Sequence, residues 1–531
     1  MRPPFPASPA HDGGMPPAST APRRLPAEGE TPLLASASIR ELESRFIAGD
    51  DPGALMARAG RSLARLAMAI APHAPLYVFE CGPGHNGGDG LIAAAALARQ
   101  GRAVRLVTAF DAADATTVAR LPAAVRLALG DALTAGCDLG AGHGDPPRDS
   151  LCIDALLGIG ASRPPEGRIL EGIRRLRAHR GRVLAVDVPS GLHADSGRIL
   201  GEGVVAHDTL TFIAAKPGLF TAAGRDHAGR VWLEDLALGA HVEALASPPS
   251  IRLGGLATES RHRMHTDHKG SLGDVLVVGG APGMAGALVL AAGAAHAAGA
   301  GRVWCISLGA DVRRSVPIRN ELMHLDIDSL ADATVLSGRT VVAGCGGGEP
   351  VASALSAVLR DAPRVVLDAD GLNAVARDPT LRRALTRRAI RGAQTVITPH
   401  PLEAARLLGC TAAEVQGDRL VAARSLSESL GATVVLKGSG TVVAQQDRLW
   451  INATGGPALA TPGSGDVLAG WIGGLWAAGD ADSGWWACRE ACRLHGRVAE
   501  AVTDGPLRAA DLIEWMWARH AGIATRGSPS A

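Results

Sequence analysis

The stretch Leu76-Tyr-Val-Phe-Glu-Cys-Gly-Pro-Gly-His-Asn-Gly-Gly-Asp-Gly90 joins an apolar run to a glycine-rich turn. The apolar part, Leu76–Phe79, has the length and composition of a buried strand. The run that follows the turn, Leu91–Arg99, is rich in Ala and Leu and predicts a helix. This order of strand, glycine turn and helix is typical of parallel α/β folds, in which backbone N–H groups at the helix N-terminus face an anion.

A second glycine-rich turn, Thr461-Pro-Gly-Ser-Gly-Asp466, lies near the other end of the chain. It also follows strand-like segments and leads into a helix-like run. Each turn carries an aspartate, Asp89 in the first and Asp466 in the second, although a pure phosphate site would avoid a negative charge. Because the turns are far apart in sequence, they predict two sites, each with a carboxylate that takes part in chemistry or binds a hydroxyl group.

Length and composition restrict the class of protein. The 531 residues are enough for two or three domains, and 67 glycines with 3% aromatic residues are typical of α/β folds. The 53 basic and 52 acidic side chains leave no basic patch for nucleic acid, and no apolar run is suited to span a membrane. Eight scattered cysteines without a C-x-x-C pair indicate free thiols in a reducing compartment. We expect a cytoplasmic homo-oligomer that binds neither nucleic acid nor membranes.

Short apolar runs alternate with helix-like segments in two series, which predicts two α/β domains. The first series has strands at Leu76–Phe79, Val104–Thr108, Leu151–Ile153 and Val183–Val186. The second has strands at Val275–Val278, Val303–Ile306, Thr340–Val342, Val365–Leu367, Thr395–Ile397 and Val434–Leu436, and a hairpin at Thr441–Ala444 and Leu449–Asn452.

The alternation also sets the domain boundaries that we predict. Residues 1–37 are rich in Pro, Ala and Ser and are expected to be a disordered leader. The first domain spans residues 38–240, with Ser38 as the N-cap of its first helix. Residues 241–259 lose the pattern and are expected to be a linker, and the second domain spans 260–522.

Two strands of the first domain end in aspartates, Asp154 and Asp187. Ligands bind at the carboxyl ends of strands in an open parallel sheet, so both carboxylates are expected in one crevice with the first glycine turn. Oxygen atoms of Asn86, Asp154 and Ser190 could together bind a hard monovalent cation, or these residues could cap helices and close turns. The turn also matches G-x-G-x-x-G, with Asp111 at the distance of a ribose carboxylate.

Residues 39–238 resemble the YjeF N-terminal family, the NAD(P)H-hydrate epimerases. The matching stretches are Leu55-Met-Ala-Arg-Ala-Gly60, Gly87-Gly-Asp-Gly90, Asp154–Gly160, Asp187–Leu192 and Thr209–Gly218. This resemblance implies a Rossmann-like three-layer sandwich, potassium held by Asn86, Asp154 and Ser190, and catalysis by Asp154 or Asp187. It implies contacts to the hydrated nicotinamide nucleotide from His85, Asn86, Gly87, Gly88, Asp89, Gly158, Ile159, Gly160, Ala161, Ser162, Arg163, Pro164 and Asp187.

Two residues depart from the epimerase pattern. The family usually has Asn where this chain has His85, and Thr where it has Ile159. A histidine ring retains the ability to donate a hydrogen bond, whereas an isoleucine side chain does not.

The second glycine turn predicts phosphoryl transfer. Successive N–H groups at Gly463–Gly465 can neutralise charge on a transferring phosphoryl group, and Asp466 can take the proton from an attacking hydroxyl. Taken alone, Asp466 could equally be a helix cap. The segment Lys437-Gly-Ser-Gly-Thr441, His400 with Glu403, and Asp368 each follow a strand and favour the catalytic interpretation.

Residues 260–520 resemble the YjeF C-terminal family, the ADP- or ATP-dependent NAD(P)H-hydrate dehydratases, which have a ribokinase-like three-layer α/β fold. The matching stretches are His268–Gly270, Gly279–Ala287, Ile397–His400 and Val434–Gly438. The resemblance implies hydrate contacts from Ala287, Gly346, Gly348, His400 and Asp466. It implies nucleotide contacts from Lys437, Gly438, Ser439, Gly440, Thr441 and Gly465, and a magnesium ion that accompanies ADP. This chain departs from the family pattern at Asn320, Ser464 and the loop Cys345-Gly-Gly-Gly348.

These observations predict a bifunctional repair enzyme. The first domain would interconvert the R and S epimers of NAD(P)H hydrate. The second would dehydrate the S epimer at the expense of ADP, giving AMP and phosphate. The alternatives are a ribokinase-type kinase of a small molecule in the second domain, and a nucleotide-binding scaffold without catalysis in the first.

Overall fold

A computed structural model of the protein describes residues 21–47, 53–140, 144–245, 250–256, 264–309, 320–479, 484–502, 505 and 507–523. The described strands form two sheets, which correspond to the two predicted domains. The predicted two-domain α/β architecture is confirmed.

The sheet of the first domain has eight strands in the order β1-β9-β8-β7-β6-β3-β4-β5. All neighbours are parallel except β1, which pairs with β9 in the antiparallel direction. The strands are β1 Arg23–Leu25, β3 Tyr77–Cys81, β4 Val104–Thr108, β5 Asp138–Leu139, β6 Leu151–Ala155, β7 Arg182–Val186, β8 Asp208–Phe212 and β9 Arg230–Glu234.

The sheet of the second domain has eleven strands in the order β13-β12-β11-β14-β15-β16-β17-β18-β19-β10-β2. Strands β11 to β17 are parallel, and β17, β18 and β19 form an antiparallel meander. The strands are β2 Thr31–Leu33, β10 Ser250–Leu253, β11 Asp274–Gly279, β12 Arg302–Ser307, β13 Met323–Leu325, β14 Arg339–Ala343, β15 Arg364–Leu367, β16 Gln394–Ile397, β17 Thr433–Leu436, β18 Val442–Gln445 and β19 Arg448–Ile451.

Helices cover both faces of each sheet. The α-helices of the first domain are Ser36–Ile47, Ala54–Ile70, His85–Arg99, Ala115–Ala119, Ala123–Thr134, Gly167–Ala178, Gly224–His227 and Gly239–Leu245. Those described in the second are Ala285–Ala297, Ala333–Leu336, Val351–Asp361, Ala369–Arg377, Pro379–Ile390, Pro401–Leu408, Ala412–Gly417, Arg419–Leu430, Ser464–Ala478, Gly484–Glu500 and Ala509–His520. Alternate residues of one strand pack into different cores: Val275 and Val277 into one, Leu276 and Val278 into the other. The sheet therefore lies between two hydrophobic cores, each covered by helices, which is a three-layer arrangement.

Every strand predicted from an apolar run is present, but two helix starts differ from the prediction. The helix after the first glycine turn begins at His85 rather than Leu91, so most of the glycine-rich segment is itself helical. The first helix begins at Ser36, and Ser38 lies inside it. The carboxylate of Asp195 accepts hydrogen bonds from the Ser36 backbone N–H (2.7 Å) and hydroxyl (2.9 Å). Asp195 therefore fixes the start of the helix. Because it is far from Ser36 in sequence, the local sequence pattern could not predict this contact.

The predicted leader and linker are more structured than expected. Within residues 1–37, of which 1–20 lie outside the described part, β1 joins the first sheet and β2 joins the second. Within residues 241–259, of which 246–249 and 257–259 lie outside it, β10 pairs with both β19 and β2. These strands have three or four residues, and the Pro-rich composition around them hides their tendency to pair. Their backbone groups find partners only at the edges of sheets that are built by distant residues.

The two domains share one continuous hydrophobic core. Leu33 and Leu253 lie in the same buried cluster as Val188 and Phe220 of the first domain and Leu436 of the second. The backbone N–H of residue 34 also donates to the carbonyl of residue 215 (3.1 Å). The N-terminal segment therefore fixes the two domains against each other.

Replacement of Leu33 by Ala tests this role. Leu33 is 2% exposed, so we expect Leu33→Ala to lower the free energy of unfolding by about 2–5 kcal/mol, through lost burial and a residual cavity. Leu127, which is 74% exposed, is the control, and Leu127→Ala is expected to change it by no more than about 0.5 kcal/mol. Denaturant titration measures both values, and equal effects would contradict the shared core.

Candidate active sites

The first glycine turn forms a tight bend that ends at the N-terminus of the helix His85–Arg99. A Cβ atom at Gly87 would lie 1.9 Å from the carbonyl oxygen of Gly82, so only glycine permits this approach. Gly88 faces Met56 of the adjacent helix, where a Cβ would lie 2.6 Å from the sulfur. The bend brings Asn86 and Asp89 into the first turns of the helix.

Asp154 is completely buried at the end of β6 and is held by Ser190. Its carboxylate accepts hydrogen bonds from the Ser190 hydroxyl (2.6 Å) and backbone N–H (2.7 Å), and from the Leu156 N–H (3.3 Å). Burial raises the pKa of Asp154 to about 6, although the hydrogen bonds oppose this shift. The carboxylate is therefore largely ionised at neutral pH although it is buried.

Asn86 completes the oxygen cluster predicted for a cation. Its amide nitrogen donates to the carbonyl of Leu157 (3.0 Å), and the N–H of Leu157 donates to the Ser190 hydroxyl (2.9 Å). The buried Oδ1 atom of Asn86 has no hydrogen-bond partner among the described residues. A buried acceptor without a donor is unfavourable, so this amide and the nearby Asp154 carboxylate fit a bound cation.

A cavity of about 1040 Å³ opens beside this cluster. Eleven of the predicted substrate contacts line it, so the fold brings them together around one cavity. These residues are His85, Asn86, Asp89, Gly158, Ile159, Gly160, Ala161, Ser162, Arg163, Pro164 and Asp187. Asp154, Ser190, Gly87 and Gly88 are not part of the lining and lie beneath it.

Asp187 forms a buried ion pair with Lys216 in this cavity. The Lys216 ammonium also donates to the Thr211 hydroxyl (3.0 Å) and the Phe212 carbonyl (2.8 Å). Asp187 has a backbone φ of +66°, a conformation that L-residues rarely adopt and that is concentrated at functional sites. Lys216 belongs to the matched stretch Thr209–Gly218, but its charge alone gave no reason to assign it to the site.

Two further carboxyl groups line the same cavity. Burial raises the pKa of Asp89 well above its usual range, with the negative charges of Asp187 and Glu43 as secondary causes. Burial also raises the pKa of Glu43, and Asp187 adds to this shift. The cavity thus combines two carboxyl groups of raised pKa with the Lys216–Asp187 ion pair, which is suited to acid–base chemistry. Glu43 lies on the helix Ser36–Ile47, outside any motif, and could not be found from sequence.

The second site lies at the carboxyl ends of β11, β14, β15, β16 and β17. The helix Ser464–Ala478 begins directly after Gly463, whose φ is +90°. Asp466 lies in its first turn. The Ser464 carbonyl accepts a hydrogen bond from the ring nitrogen Nε2 of His495 (3.0 Å). Burial lowers the pKa of His495 to about 4, so this ring is neutral at pH 7.

Asp466 is surrounded by charged and polar groups. Its carboxylate lies within 4.8 Å of ligand atoms of Asp368 and Cys345. Burial raises the pKa of Asp466 to about 6, and the negative charge of Asp368 adds to the shift. Lys437 donates to Asp368 (2.6 Å), and a Cβ atom at Gly465 would lie 3.2 Å from the Lys437 nitrogen. Lys437, a residue of the predicted nucleotide loop, therefore lies close to the turn that carries the predicted base, Asp466.

Cys345 belongs to the loop that departs from the family pattern, and its thiol interacts with Asp466. Burial raises the pKa of its thiol well above the usual range, and the negative charge of Asp466 adds to this shift. The protonated thiol donates a hydrogen bond to Asp466 and lowers the pKa of that carboxyl. A thiol that keeps its proton is a poor metal ligand, so this trio is better suited to proton transfer than to metal binding.

Among the predicted hydrate contacts of this domain, Gly346 and Ala287 are adjacent. A Cβ atom at Gly346 would lie 2.8 Å from that of Ala287, and the Gly348 N–H donates to the Asp370 carboxylate (2.9 Å). His400 is the N-cap of the helix Pro401–Leu408, and its backbone N–H donates to Glu403 (2.8 Å).

Comparison with known proteins identifies both halves of the chain. Residues 275–514 match the NAD(P)H-hydrate dehydratase family, and residues 52–218 match the family described as YjeF-related protein N-terminus. The bifunctional NAD(P)H-hydrate repair enzyme Nnr of Escherichia coli is 35% identical over 458 residues, which cover 84% of this chain and 85% of that protein. The chain belongs to the family of bifunctional NAD(P)H-hydrate repair enzymes. The family predicted from the sequence is confirmed.

Other members of the repair enzyme family match over similar lengths. The Nnr enzyme of Coxiella burnetii is 34% identical, with coverage of 84% of this chain and 90% of that protein. A solved ADP/ATP-dependent NAD(P)H-hydrate dehydratase from Bacillus subtilis, co-crystallised with ATP and Mg²⁺, is 31% identical. It covers 50% of this chain and 95% of its own, with a TM-score of 0.42. None of the described helices has the length and hydropathy needed to cross a membrane.

Removal of the Lys216 charge tests the buried ion pair. Lys216→Met would leave Asp187 ionised and partly buried without its partner, so we expect a loss of about 3–5 kcal/mol in the free energy of unfolding. Lys269 is exposed, and the matched variant Lys269→Met is expected to change this value by about 0.5 kcal/mol or less. Denaturant titration measures the free energy of unfolding of both variants. Equal stability of the two variants would contradict a stabilising role for the Lys216–Asp187 pair.

Proposed function

We propose that this repair enzyme acts on hydrated NADH and NADPH at two separate sites. The first domain interconverts the R and S epimers of the hydrate, and the second dehydrates the S epimer at the expense of ADP. The observation that carries the proposal is the position of Asp466, in the first turn of a helix and beside the Lys437–Asp368 pair. This arrangement supports a role for Asp466 as a base that acts next to a transferring phosphoryl group.

In the first domain, the acidic cavity supplies the acid–base chemistry. Epimerisation inverts the configuration at the ring carbon C6. A group close to that carbon must therefore take up a proton and return it. Asp187 is held by Lys216, and its charge faces Asp89 and Glu43, which retain protons more readily than usual. We propose Asp187 as the acid–base residue, and we assign Asp154 to the cation cluster beneath the cavity.

Potassium fits this cluster because Asn86 has a buried unpartnered oxygen, and hydrogen bonds through Leu157 connect this residue to Ser190 and thereby to the Asp154 carboxylate. When bound there, the ion would neutralise the buried charge of Asp154. The residues Asn86, Asp154 and Ser190 thereby keep the helix His85–Arg99 and the loop after β6 in fixed positions around the substrate.

In the second domain, Asp466 takes the proton from the C6 hydroxyl while that oxygen attacks the terminal phosphorus of ADP. The bond from phosphorus to the bridging oxygen breaks, and AMP leaves. Phosphate then departs from C6 with its bonding electrons, and a proton leaves the neighbouring ring carbon, which restores NAD(P)H. Phosphorylation therefore converts hydroxide, a poor leaving group, into a good one.

The groups around Asp466 balance the charge of phosphoryl transfer. The backbone N–H groups of Gly463 and Gly465 and the Lys437 ammonium face the transferring phosphoryl group, whereas the Ser464 N–H donates to the Thr461 carbonyl within the turn (3.4 Å). Magnesium bound with ADP would neutralise phosphate oxygens. Glu403, whose pKa burial raises to about 7, lies in the electrostatic field of Lys437 and Asp368 and is the residue that we expect to hold water molecules of that ion.

The dehydratase is tested with the S epimer of NADH hydrate, ADP and magnesium, by following the absorbance of the reduced ring. We expect recovery of NADH, and we expect Asp466→Asn to slow it by about 10²–10⁴-fold while ADP binding persists, since a general base contributes this much. A base with a pKa of about 6 must be ionised, so the rate should fall about tenfold per pH unit below pH 6.

Asp361 ends the helix Val351–Asp361 just before β15, so it lies at the opposite edge of the sheet from Asp466, and it provides the matched control Asp361→Asn, which should retain the wild-type rate. If the wild type restores no NADH, the dehydratase assignment fails. If Asp466→Asn turns over at the wild-type rate, another group is the base.

The epimerase is tested without ADP, by chromatographic separation of the R and S epimers. We expect potassium to accelerate interconversion above the spontaneous rate and choline to leave it slow. Asn86→Ala removes one predicted ligand, so its rate should no longer respond to potassium. Asn373→Ala, in the other domain, is the control and should respond as the wild type does. A potassium response that survives in Asn86→Ala would contradict the cation site.

A further inference from the structure

The loop that we assign to the adenine nucleotide, residues 437–441, lies against the epimerase domain. The segment that contacts it, residues 220–225, follows Lys216 of the epimerase cavity by a few residues. The backbone N–H of Ala222 donates to the Ser439 carbonyl (3.2 Å), and the Thr221 hydroxyl lies 3.1 Å from the Gly440 carbonyl, to which it donates. Two consecutive carbonyls of the loop are therefore held by the other domain.

A buried arginine extends this contact into the dehydratase domain. Arg419 donates from Nε to the Thr221 hydroxyl (3.1 Å) and from one terminal nitrogen to the carbonyls of Leu436 (3.0 Å) and Lys437 (3.2 Å). Thr221 and Arg419 are both fully buried. The hydroxyl of Thr221 thus accepts from Arg419 and donates to Gly440, and it links the two ends of the loop.

The close approach at Gly440 shows how tightly the epimerase domain determines the shape of this loop. Gly440 has a φ of +60°, and a Cβ atom there would lie 2.0 Å from the carbonyl oxygen of Phe220. Within the described part of the chain, the backbone N–H groups of Ser439 and Gly440 have no hydrogen-bond partner. Their carbonyls are turned toward the first domain, and their N–H groups remain available to an anion.

Arg225 makes a second contact of the same kind. It donates to the carbonyls of Thr454 (3.1 Å) and Gly455 (2.9 Å), in the segment that leads from β19 to the turn Thr461–Asp466. Burial lowers the pKa of this arginine, with Glu500 opposing the shift. Side chains of the epimerase domain therefore hold the loop 437–441 directly, and they also hold the segment that precedes the turn Thr461–Asp466.

We propose that Thr221 and Arg225 of the epimerase domain are positioning residues for the adenine nucleotide of the dehydratase domain. This proposal rests on the proposed function, because it assumes that ADP binds at residues 437–441. The two residues do not touch the reacting atoms. They orient the carbonyls of the loop, and thereby the N–H groups that face the nucleotide phosphates.

The experiment uses the full chain and the pure S epimer, so that epimerisation is not needed for turnover. Thr221→Val removes the hydroxyl while it keeps the volume. We expect the KM for ADP and the Kd for ADP from calorimetry to rise about fivefold to tenfold, because a buried hydrogen-bond network loses its central member. The kcat and the KM for the hydrate should stay within about twofold, and Thr221→Ser, which keeps the hydroxyl, should restore the KM for ADP.

Thr209→Val is the matched control. Thr209 is also fully buried in the epimerase domain and donates to a backbone carbonyl, that of Ala228 (2.7 Å), but it lies away from the interface. Its KM for ADP should equal that of the wild type. Arg225→Met provides an independent variant at the second contact, with the same expected rise, and it replaces Thr221→Val as the test if that variant fails to fold.

The possible failures are distinct. A wild-type protein that binds no ADP would refute the proposed function itself. A wild type that binds ADP, with Thr221→Val and Arg225→Met of unchanged affinity, would overturn the positioning role. A loss of stability with equal changes in kcat and in both KM values, or the same rise in KM for Thr209→Val, would reduce both residues to a structural role and would also overturn it.

Discussion

The removal of charged side chains from water is the constraint on which both sites depend. An ionised carboxylate in an apolar environment is unfavourable unless other groups stabilise it. Asp154 accepts three hydrogen bonds, Asp187 has Lys216, and Asp368 has Lys437. The same burial raises the pKa values of Asp154 and Asp466 to about 6. A carboxyl group with a pKa near neutrality can lose and regain a proton under cellular conditions, which ordinary surface aspartates cannot do.

The sequence predicted those parts of the fold and sites that depend on local pattern. Parallel strands are buried on both faces and therefore appear as continuous apolar runs, which is why every such run became a strand. The glycine turns were recognisable because their glycines are required by backbone contacts, as at Gly87. Asp154, Asp187 and Asp466 were found because each stands at the end of a strand or in a turn, where parallel sheets bind ligands.

What the sequence did not reveal depends on contacts between distant residues. Glu43 comes from a helix without a motif, and Lys216 acquires its role only from the position of Asp187 across the cavity. Strands β1, β2 and β10 are too short to show the alternating hydrophobic pattern of a strand. They form because their backbone groups pair with strands at the sheet edges. The thiol of Cys345 looked like a simple departure from the family loop, and only the fold shows that it contacts Asp466.

The distribution of the N-terminal segment over both sheets has a consequence for biosynthesis. Strand β1 leaves the ribosome long before β9, its partner, and β2 must wait for β10, which in turn lies beside β19 near residue 450. Strands β1 and β2 are synthesised before their partners and are thus among the last elements to reach their final places. A polypeptide released at the domain boundary would carry unpaired sheet edges, which are prone to aggregate. The cell therefore obtains the two catalytic centres together, in equal numbers, from one polypeptide.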